Sequence, residues 1–181
     1  MQAAEIVQEA RDNSMGLPSE QALSLLAYQE GGATEDKDGF DPHAELRARV
    51  LDALQNTLSL KDRPLVRFLM EQEIACHQDE VETDSDSIHH CGFLLFLLGQ
   101  LEDVELLWRA KRASFDTWCG FDIQFLVGAG VAPTLSYLQD IQEKWARHAK
   151  SYIEECQAAG DFRHLERYRE AKMKYFRAVD A

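Results

Sequence analysis

The 181-residue sequence has few cysteines, few prolines and no long apolar run. Its longest apolar stretch covers residues 93–98, whereas a transmembrane helix needs about 20 such residues. Residues 1–5 carry neither a basic segment nor an apolar one, so they do not resemble a secretory signal. We therefore expect a cytosolic protein that is not embedded in a membrane.

The four cysteines, Cys76, Cys91, Cys119 and Cys156, are separated by wide and unrelated intervals. A small disulfide-stabilised scaffold has a denser framework, and structural zinc sites favour CxxC pairs. We interpret the four residues as reduced thiols that serve as small buried apolar side chains.

Sequence signatures of catalysis are also missing. There is no GxSxG elbow, no phosphate-binding loop that ends in Lys-Ser or Lys-Thr, and no GxGxxG after a strand. The segment Gly128-Ala129-Gly130 is better explained as a turn between helices. We expect a protein with no catalytic residues and no cofactor.

One group of side chains keeps an enzymatic alternative open. Cys76, His77, His89, His90 and Cys91 place five possible zinc ligands within sixteen residues. The spacing contains neither HExxH nor CxxC, and adjacent histidines on a helix point about 100 degrees apart. We predict no metal site here, and keep a metal-dependent enzyme as the alternative.

Basic residues are scarce relative to acidic ones, with 19 against 32, and the net charge is −13. Residues 1–140 carry 25 acidic and 10 basic residues, a net charge of −15, whereas residues 141–181 have a net charge of +2. A negative potential repels nucleic acid and anionic lipid and attracts basic protein surfaces. We expect a protein partner with a basic surface and no nucleic-acid or membrane partner.

Helical periodicity dominates the rest of the sequence. Apolar residues recur every four positions at Leu46, Val50, Leu54 and Leu58, and residues 93–98 are apolar on every side, as in a central helix. No stretch alternates apolar and polar residues as a strand would. We predict an all-α fold of antiparallel helical hairpins, arranged as a compact bundle or a short solenoid-like stack.

We predict a single domain over residues 1–181, in which residues 1–40 hold N-terminal helices and residues 41–181 hold the helical core. Residues 31–39 are rich in glycine and acid, which is typical of a mobile loop. Asp41-Pro42 is a helix-start signal in which the aspartate accepts hydrogen bonds from first-turn amides. We further predict a loop at residues 114–120 and one helix from Pro133 to Cys156.

Two segments align at a spacing of 29 residues. Residues 96–99, Phe-Leu-Leu-Gly, correspond to residues 125–128, Phe-Leu-Val-Gly, and a second helix follows each glycine. This order predicts two stacked hairpins, although the period and residues differ from those of ankyrin and tetratricopeptide repeats. Coincidental glycines after two apolar helix ends are the alternative.

Acidic residues and one tryptophan supply the candidate partner-binding positions. Residues 79–86 form an acidic run, which is either a solvated loop or a docking surface. Asp116 and Asp122 flank Trp118, and tryptophan is enriched at binding hot spots. The structural alternatives are carboxylates that cap helices and a ring packed over a hairpin junction. The predicted set is Asp79, Glu80, Glu82, Asp84, Asp86, Asp116, Trp118 and Asp122.

The compact size, the acidic face and residues 92–99, 115–116 and 121–130 resemble the small acidic helical immunity proteins that bacteria encode beside antibacterial toxins. The resemblance covers less than a quarter of the chain and transfers no functional residue. It implies a cytoplasmic, non-enzymatic protein that binds and neutralises one cognate toxin. A self-associating regulatory scaffold, whose basic C-terminal helices meet an acidic surface of another copy, is a further alternative.

Overall fold

The computed structural model describes residues 1–30, 41–79 and 86–178. These residues form α-helices and short 3-10 helices with no strand among them, which confirms the all-α prediction. The predicted mobile loop at residues 31–39 lies outside the described residues, as do Glu80, Glu82 and Asp84.

Ten α-helices follow one another along the described ranges. They are α1 (Ala3–Asp12), α2 (Glu20–Leu26), α3 (Ala44–Gln55), α4 (Arg63–Gln78), α5 (Ser87–Leu98), α6 (Val104–Lys111), α7 (Phe115–Gly120), α8 (Val131–Asp140), α9 (Lys144–Ala159) and α10 (Leu165–Ala178). The 3-10 helices Leu60–Asp62 and Leu101–Asp103 lead directly into α4 and α6, and the 3-10 helix Ile123–Val127 precedes α8.

Several helix boundaries follow the local signals that the sequence carries. The Ser19 side chain accepts a hydrogen bond from the Ala22 amide at 3.4 Å and caps α2. Helices α5 and α9 end at Gly99 and Gly160, whose φ angles of 61° and 97° lie in the left-handed region. Glycine has no Cβ to oppose that conformation, so both predicted stops are confirmed.

Helix α5 lies at the centre of the core. Its residues from Ser87 to Phe96 are buried except for His89, and it packs against α3, α4, α6 and the 3-10 helix 123–127. The predicted central helix is therefore confirmed. One cluster of buried apolar side chains extends around it, from Ile6 in α1 to Phe176 in α10.

The two predicted hairpins pack directly on each other through their glycines. A Cβ on Gly128 would lie 2.4 Å from the carbonyl oxygen of Phe96, so the two backbones touch. The order of helix, glycine turn and helix is as predicted. The units are not copies, because residues 123–127 form a 3-10 helix, and because Gly130, with φ of 103° and ψ of 150°, precedes α8 whereas Gly99 ends α5 in the left-handed helical conformation.

Two element predictions in the second half of the chain are wrong. Residues 115–120, predicted as part of a loop, form α7, because the Ser114 and Thr117 side chains each accept a hydrogen bond from the other residue's amide. The predicted helix from Pro133 to Cys156 is divided into α8 and α9. Ile141 is extended there, and the Arg147 side chain donates to the Gln142 carbonyl at 2.7 Å.

The predicted start signal at Asp41 is confirmed in part: Asp41 Oδ1 accepts from the His43 amide at 3.0 Å just before α3, which begins at Ala44. The other oxygen, Oδ2, accepts from Arg47 Nη2 at 2.5 Å, so Asp41 is an ion-pair partner as well. Arg47 Nε donates to Glu73 of α4 at 2.6 Å, and all three side chains are buried. The predicted stripe of apolar residues at every fourth position therefore describes α3 incompletely, because Arg47 also lies on the buried face of the helix. A buried guanidinium is tolerated because both of its charged partners are buried with it.

Two other buried carboxylates fix the start of α4. Asp62 accepts hydrogen bonds from Arg11 of α1 at 2.6 and 2.9 Å. Asp103, which ends the 3-10 helix before α6, accepts from Arg63 at 2.9 Å and also pairs with Arg67. The bidentate arginines join three parts of the chain with defined geometry.

We predict that Gly128→Ala lowers the unfolding free energy by about 1–3 kcal/mol, as overpacking does, because its Cβ would overlap the Phe96 carbonyl. Gly120→Ala is the matched control, since a Cβ there meets no atom nearer than His89 Nε2 at 3.6 Å. Urea denaturation of both variants measures the difference. Equal stability of the two variants would show that the backbones do not touch as described.

We also predict that Glu73→Gln becomes more stable relative to the unsubstituted protein as the pH rises. Burial raises the pKa of Glu73 above its usual 4.5, and Arg47 offsets only part of this effect. The folded state then binds the proton more tightly than the unfolded state, so the contribution of Glu73 to stability is present below pH 4.5 and is lost as the pH rises through the folded pKa.

Between acidic and neutral pH, the stability of the glutamine variant relative to the unsubstituted protein should rise by about 1.4 kcal/mol for each unit by which folding raises the pKa of Glu73. Denaturant titrations from acidic to neutral pH measure it. Glu71→Gln on the exposed part of the same helix is the control. A stability difference that stays constant with pH would contradict the prediction.

Candidate protein-binding surface

Helix α7 presents large apolar side chains to solvent. Phe115 is 80% exposed and Trp118 is 40% exposed. Residues three apart lie on the same face of a helix, so the two rings form one patch. Asp116 and Cys119 are exposed on the same short helix. We call these four residues, Phe115, Asp116, Trp118 and Cys119, the α7 surface.

A buried lysine holds the C-terminal end of α7. Lys111 Nζ donates hydrogen bonds to the carbonyl oxygens of Trp118 at 3.0 Å and Phe121 at 2.8 Å. Burial lowers the pKa of Lys111. A cation suits this position because the carbonyls at a helix end carry partial negative charge. The backbone of α7 is therefore fixed from below by the end of α6.

Trp118 is partly packed against neighbouring helices and partly exposed, so it fits both the packed-ring and the binding-residue interpretations in part. Its ring centroid lies 6.1 Å from that of Trp108 and 5.1 Å from that of Tyr152. The Lys111 ammonium lies 5.3 Å from the same centroid, within the range of a cation–π contact. One side of the indole is therefore packed while the other remains open to solvent. A ring held in this way loses little conformational freedom when a partner covers it.

The acidic residues predicted as partner-binding have different surroundings. Asp116 is exposed in the first turn of α7, where Ser114 is the capping residue. Asp122 does not cap the 3-10 helix that follows it, because its side chain accepts from Tyr168 Oη at 2.7 Å and pairs with Lys172 Nζ at 2.6 Å. Both residues lie at helix starts, as the structural alternative predicts, but Ser114 supplies the capping hydrogen bond of α7 and the Asp122 side chain makes none.

Asp79 and Asp86 lie on either side of residues 80–85, which the structure does not describe. Asp86 pairs with His89 Nδ1 at 2.5 Å, and the His89 ring lies 5.8 Å from that of Phe121, next to the end of α7. Asp79 ends α4, and its carboxylate adds to the effect of burial in raising the pKa of Tyr28. The structure thus groups Asp86, Asp116, Trp118 and Asp122 around α7.

The cysteine and histidine cluster is dispersed. Cys76 and Cys91 are buried, and burial raises the pKa of Cys76 to about 11. His90 stacks on Phe176 with a centroid separation of 4.4 Å, whereas His89 pairs with Asp86. Across residues 1–30, 41–79 and 86–178, no three His, Cys, Asp or Glu side chains are arranged to hold a metal ion.

The prediction that all cysteines are buried holds for Cys76, Cys91 and Cys156 and is wrong for Cys119, which lies on the α7 surface. Phe115 and Lys111 were missed as well. From sequence alone, an isolated phenylalanine is expected to lie in the core, and a lysine at a helix end is expected to be exposed to solvent. The Ser-x-x-Thr capping pattern at residues 114–117 is the signal that could have placed Phe115 in the first turn of a helix.

None of the helices in the described ranges is both long enough and apolar enough to cross a membrane. Comparisons with protein-family models, with curated proteins and with solved structures found no match for the chain.

We predict that Lys111→Met loosens α7. The substitution leaves the Trp118 and Phe121 carbonyls without their donor, which costs about 1–3 kcal/mol of unfolding free energy. Near-ultraviolet circular dichroism should also show weaker tryptophan bands, because Trp118 loses its fixed packing. Lys61→Met, the same substitution at an exposed position far along the chain from the tryptophans, is the control. An unchanged tryptophan signal in the Lys111 variant would contradict the assigned role.

Proposed function

We propose that this protein is a non-enzymatic binding protein that engages a basic protein partner through the α7 surface. The observation that carries the proposal is the 80% exposure of Phe115 beside the half-packed Trp118. Large aromatic side chains contribute most to binding when a partner desolvates them. No fold-level role explains Phe115, because so little of its ring is in contact with the protein.

The charge distribution supports a basic partner. The protein has a net charge of −13, and the first 140 residues, which include all of α7, carry a net charge of −15. The Asp116 carboxylate stands between the two aromatic positions and is exposed. Negative potential around an apolar patch accelerates association with a positively charged surface and disfavours acidic competitors.

The biological role that we propose is that of an immunity protein in the bacterial cytoplasm, which neutralises one cognate toxin by covering it. The resemblance of residues 92–99, 115–116 and 121–130 to such proteins supports this role. Neutralisation by tight binding needs no catalytic group. A preformed aromatic patch on an acidic helical body has the surface chemistry that such binding requires.

We predict that Phe115→Ala and Trp118→Ala each weaken toxin binding at least roughly 30-fold, since hot-spot aromatics contribute about 2 kcal/mol or more. The candidate toxin is the product of the reading frame next to the gene. Isothermal titration calorimetry measures the affinity, and growth of cells that express the toxin measures protection. Leu60→Ala is the matched control, because Leu60 is 61% exposed but lies far along the chain, before α4.

The expected association rate falls as salt rises from about 50 to 500 mM, because screening shortens the range of the charge interaction. A salt-independent rate would contradict the electrostatic part of the proposal. Failure of the unsubstituted protein to protect cells against any adjacent toxin would contradict the immunity role. Equal losses for the Leu60 and Phe115 variants would show that α7 is not the binding surface.

A further inference from the structure

Helix α10 is attached to the rest of the protein along one face. Tyr168, Lys172 and Phe176 recur every four residues, and all three contact the rest of the protein. The Tyr168 hydroxyl donates to Asp122 at 2.7 Å, and Lys172 Nζ lies 2.6 Å from the same carboxylate oxygen. Among the side chains described in α10, Phe176 alone is buried.

The surface under α10 is aromatic with a carboxylate at its edge. The Phe176 ring centroid lies 4.4 Å from that of His90 and 5.4 Å from that of Phe93. The Tyr168 ring lies 6.0 Å from that of Phe96 in an edge-to-face contact. We call this surface the α10 seat and define it by its residues: His90, Phe93, Phe96, Asp122 and Phe125.

The charge of α10 is opposite to that of the body on which it lies. Residues 165–178 contain five lysines and arginines against two glutamates. The seat belongs to the part of the chain with a net charge of −15. A short amphipathic helix with few buried side chains opens at a lower free energy than the core does. The contacts of α10 are thus those of a basic helix bound in an aromatic groove.

Phe176 covers the His90 ring without offering a hydrogen-bond partner to its Nε2. His90 is 5% exposed, and its Nε2 has no hydrogen-bond partner within the described ranges. An unpaired buried nitrogen costs free energy, which weakens the hold of α10 on the seat. The seat is therefore complementary to α10 in its apolar part and leaves His90 unpaired.

The seat is also continuous with the α7 surface. Asp122, which anchors both Tyr168 and Lys172, follows the last residue of α7 by two positions. Between them, Phe121 packs its ring 5.1 Å from that of Phe125 in the seat. A partner seated on Phe115 and Trp118 would reach the edge of α10.

We propose that the α10 seat is the docking surface for a basic amphipathic helix of the partner, and that α10 occupies it as an internal competitor until that helix displaces it. This inference rests on the proposed binding function and specifies the chemistry of the partner. The incoming helix carries an aromatic residue, a lysine or arginine and a second aromatic residue at four-residue spacing, as α10 does.

A fluorescein-labelled peptide of residues 161–178 is the probe, and fluorescence anisotropy with the full-length protein is the measurement. We expect the Lys172→Ala/Phe176→Ala protein to bind the peptide at least tenfold more tightly than the unsubstituted protein, because its own α10 no longer competes. Lys174→Ala is the matched control, since Lys174 is exposed on the same helix, and it should bind as the unsubstituted protein does.

Equal affinity of the double variant and the unsubstituted protein would overturn the proposal, as would tight binding of a peptide that carries Lys172→Glu and Phe176→Ala. Should the double variant lose its helical circular dichroism, Lys172→Ala alone, which keeps the Phe176 contact, provides the same comparison with a smaller expected gain. A dimer of the unsubstituted protein in light scattering, with α10 exchanged between copies, would assign the seat to a second copy and overturn the assignment to a partner.

The peptide assay contains no toxin, so its outcome is independent of protection in cells. Loss of protection in the Phe115 and Trp118 variants with unchanged peptide binding supports two separable surfaces. Peptide binding without any protection by the unsubstituted protein would leave the seat established and the immunity role contradicted.

Discussion

The guanidinium of Arg47 lies buried between the carboxylates of Asp41 and Glu73, and it also faces the Leu26 carbonyl at 3.4 Å. These contacts join the end of α2, the entry to α3 and the middle of α4, against which the central helix α5 packs. Removing Arg47 would leave two buried carboxylates without their partner, so the arrangement is strongly specified. The position of α5, and with it the aromatic surfaces above, depends on this ion group.

The features that sequence reasoning predicted are those that short-range physics determines. Residues 93–98 form the central helix, and Gly99 and Gly160 end helices, because each depends on neighbouring residues alone. The pairing of Arg47 with Asp41 and Glu73 joins positions 6 and 26 residues apart, so from the sequence Asp41 was interpreted as a helix-start residue only. Helical spacing cannot show which polar residue a distant helix will cover.

The candidate site was found only in outline for a similar reason. Trp118 and the acids around it were selected by residue type, and the structure groups four of them about α7. Exposure is a property of the assembled fold, so the sequence could not distinguish Phe115 from the other eight phenylalanines of the chain. Lys111, which caps α7 from α6, depends on how those two helices meet.

The main-chain contact between Gly128 and Phe96 has a kinetic consequence. It fastens the two halves of the α10 seat together, since Phe96 belongs to α5 and Gly128 directly follows the segment that carries Phe125. Close-packed backbones shift little, so the seat keeps its width whether a helix is present or absent. The binding rate of an incoming helix would then level off, at high concentration, at the rate at which α10 departs.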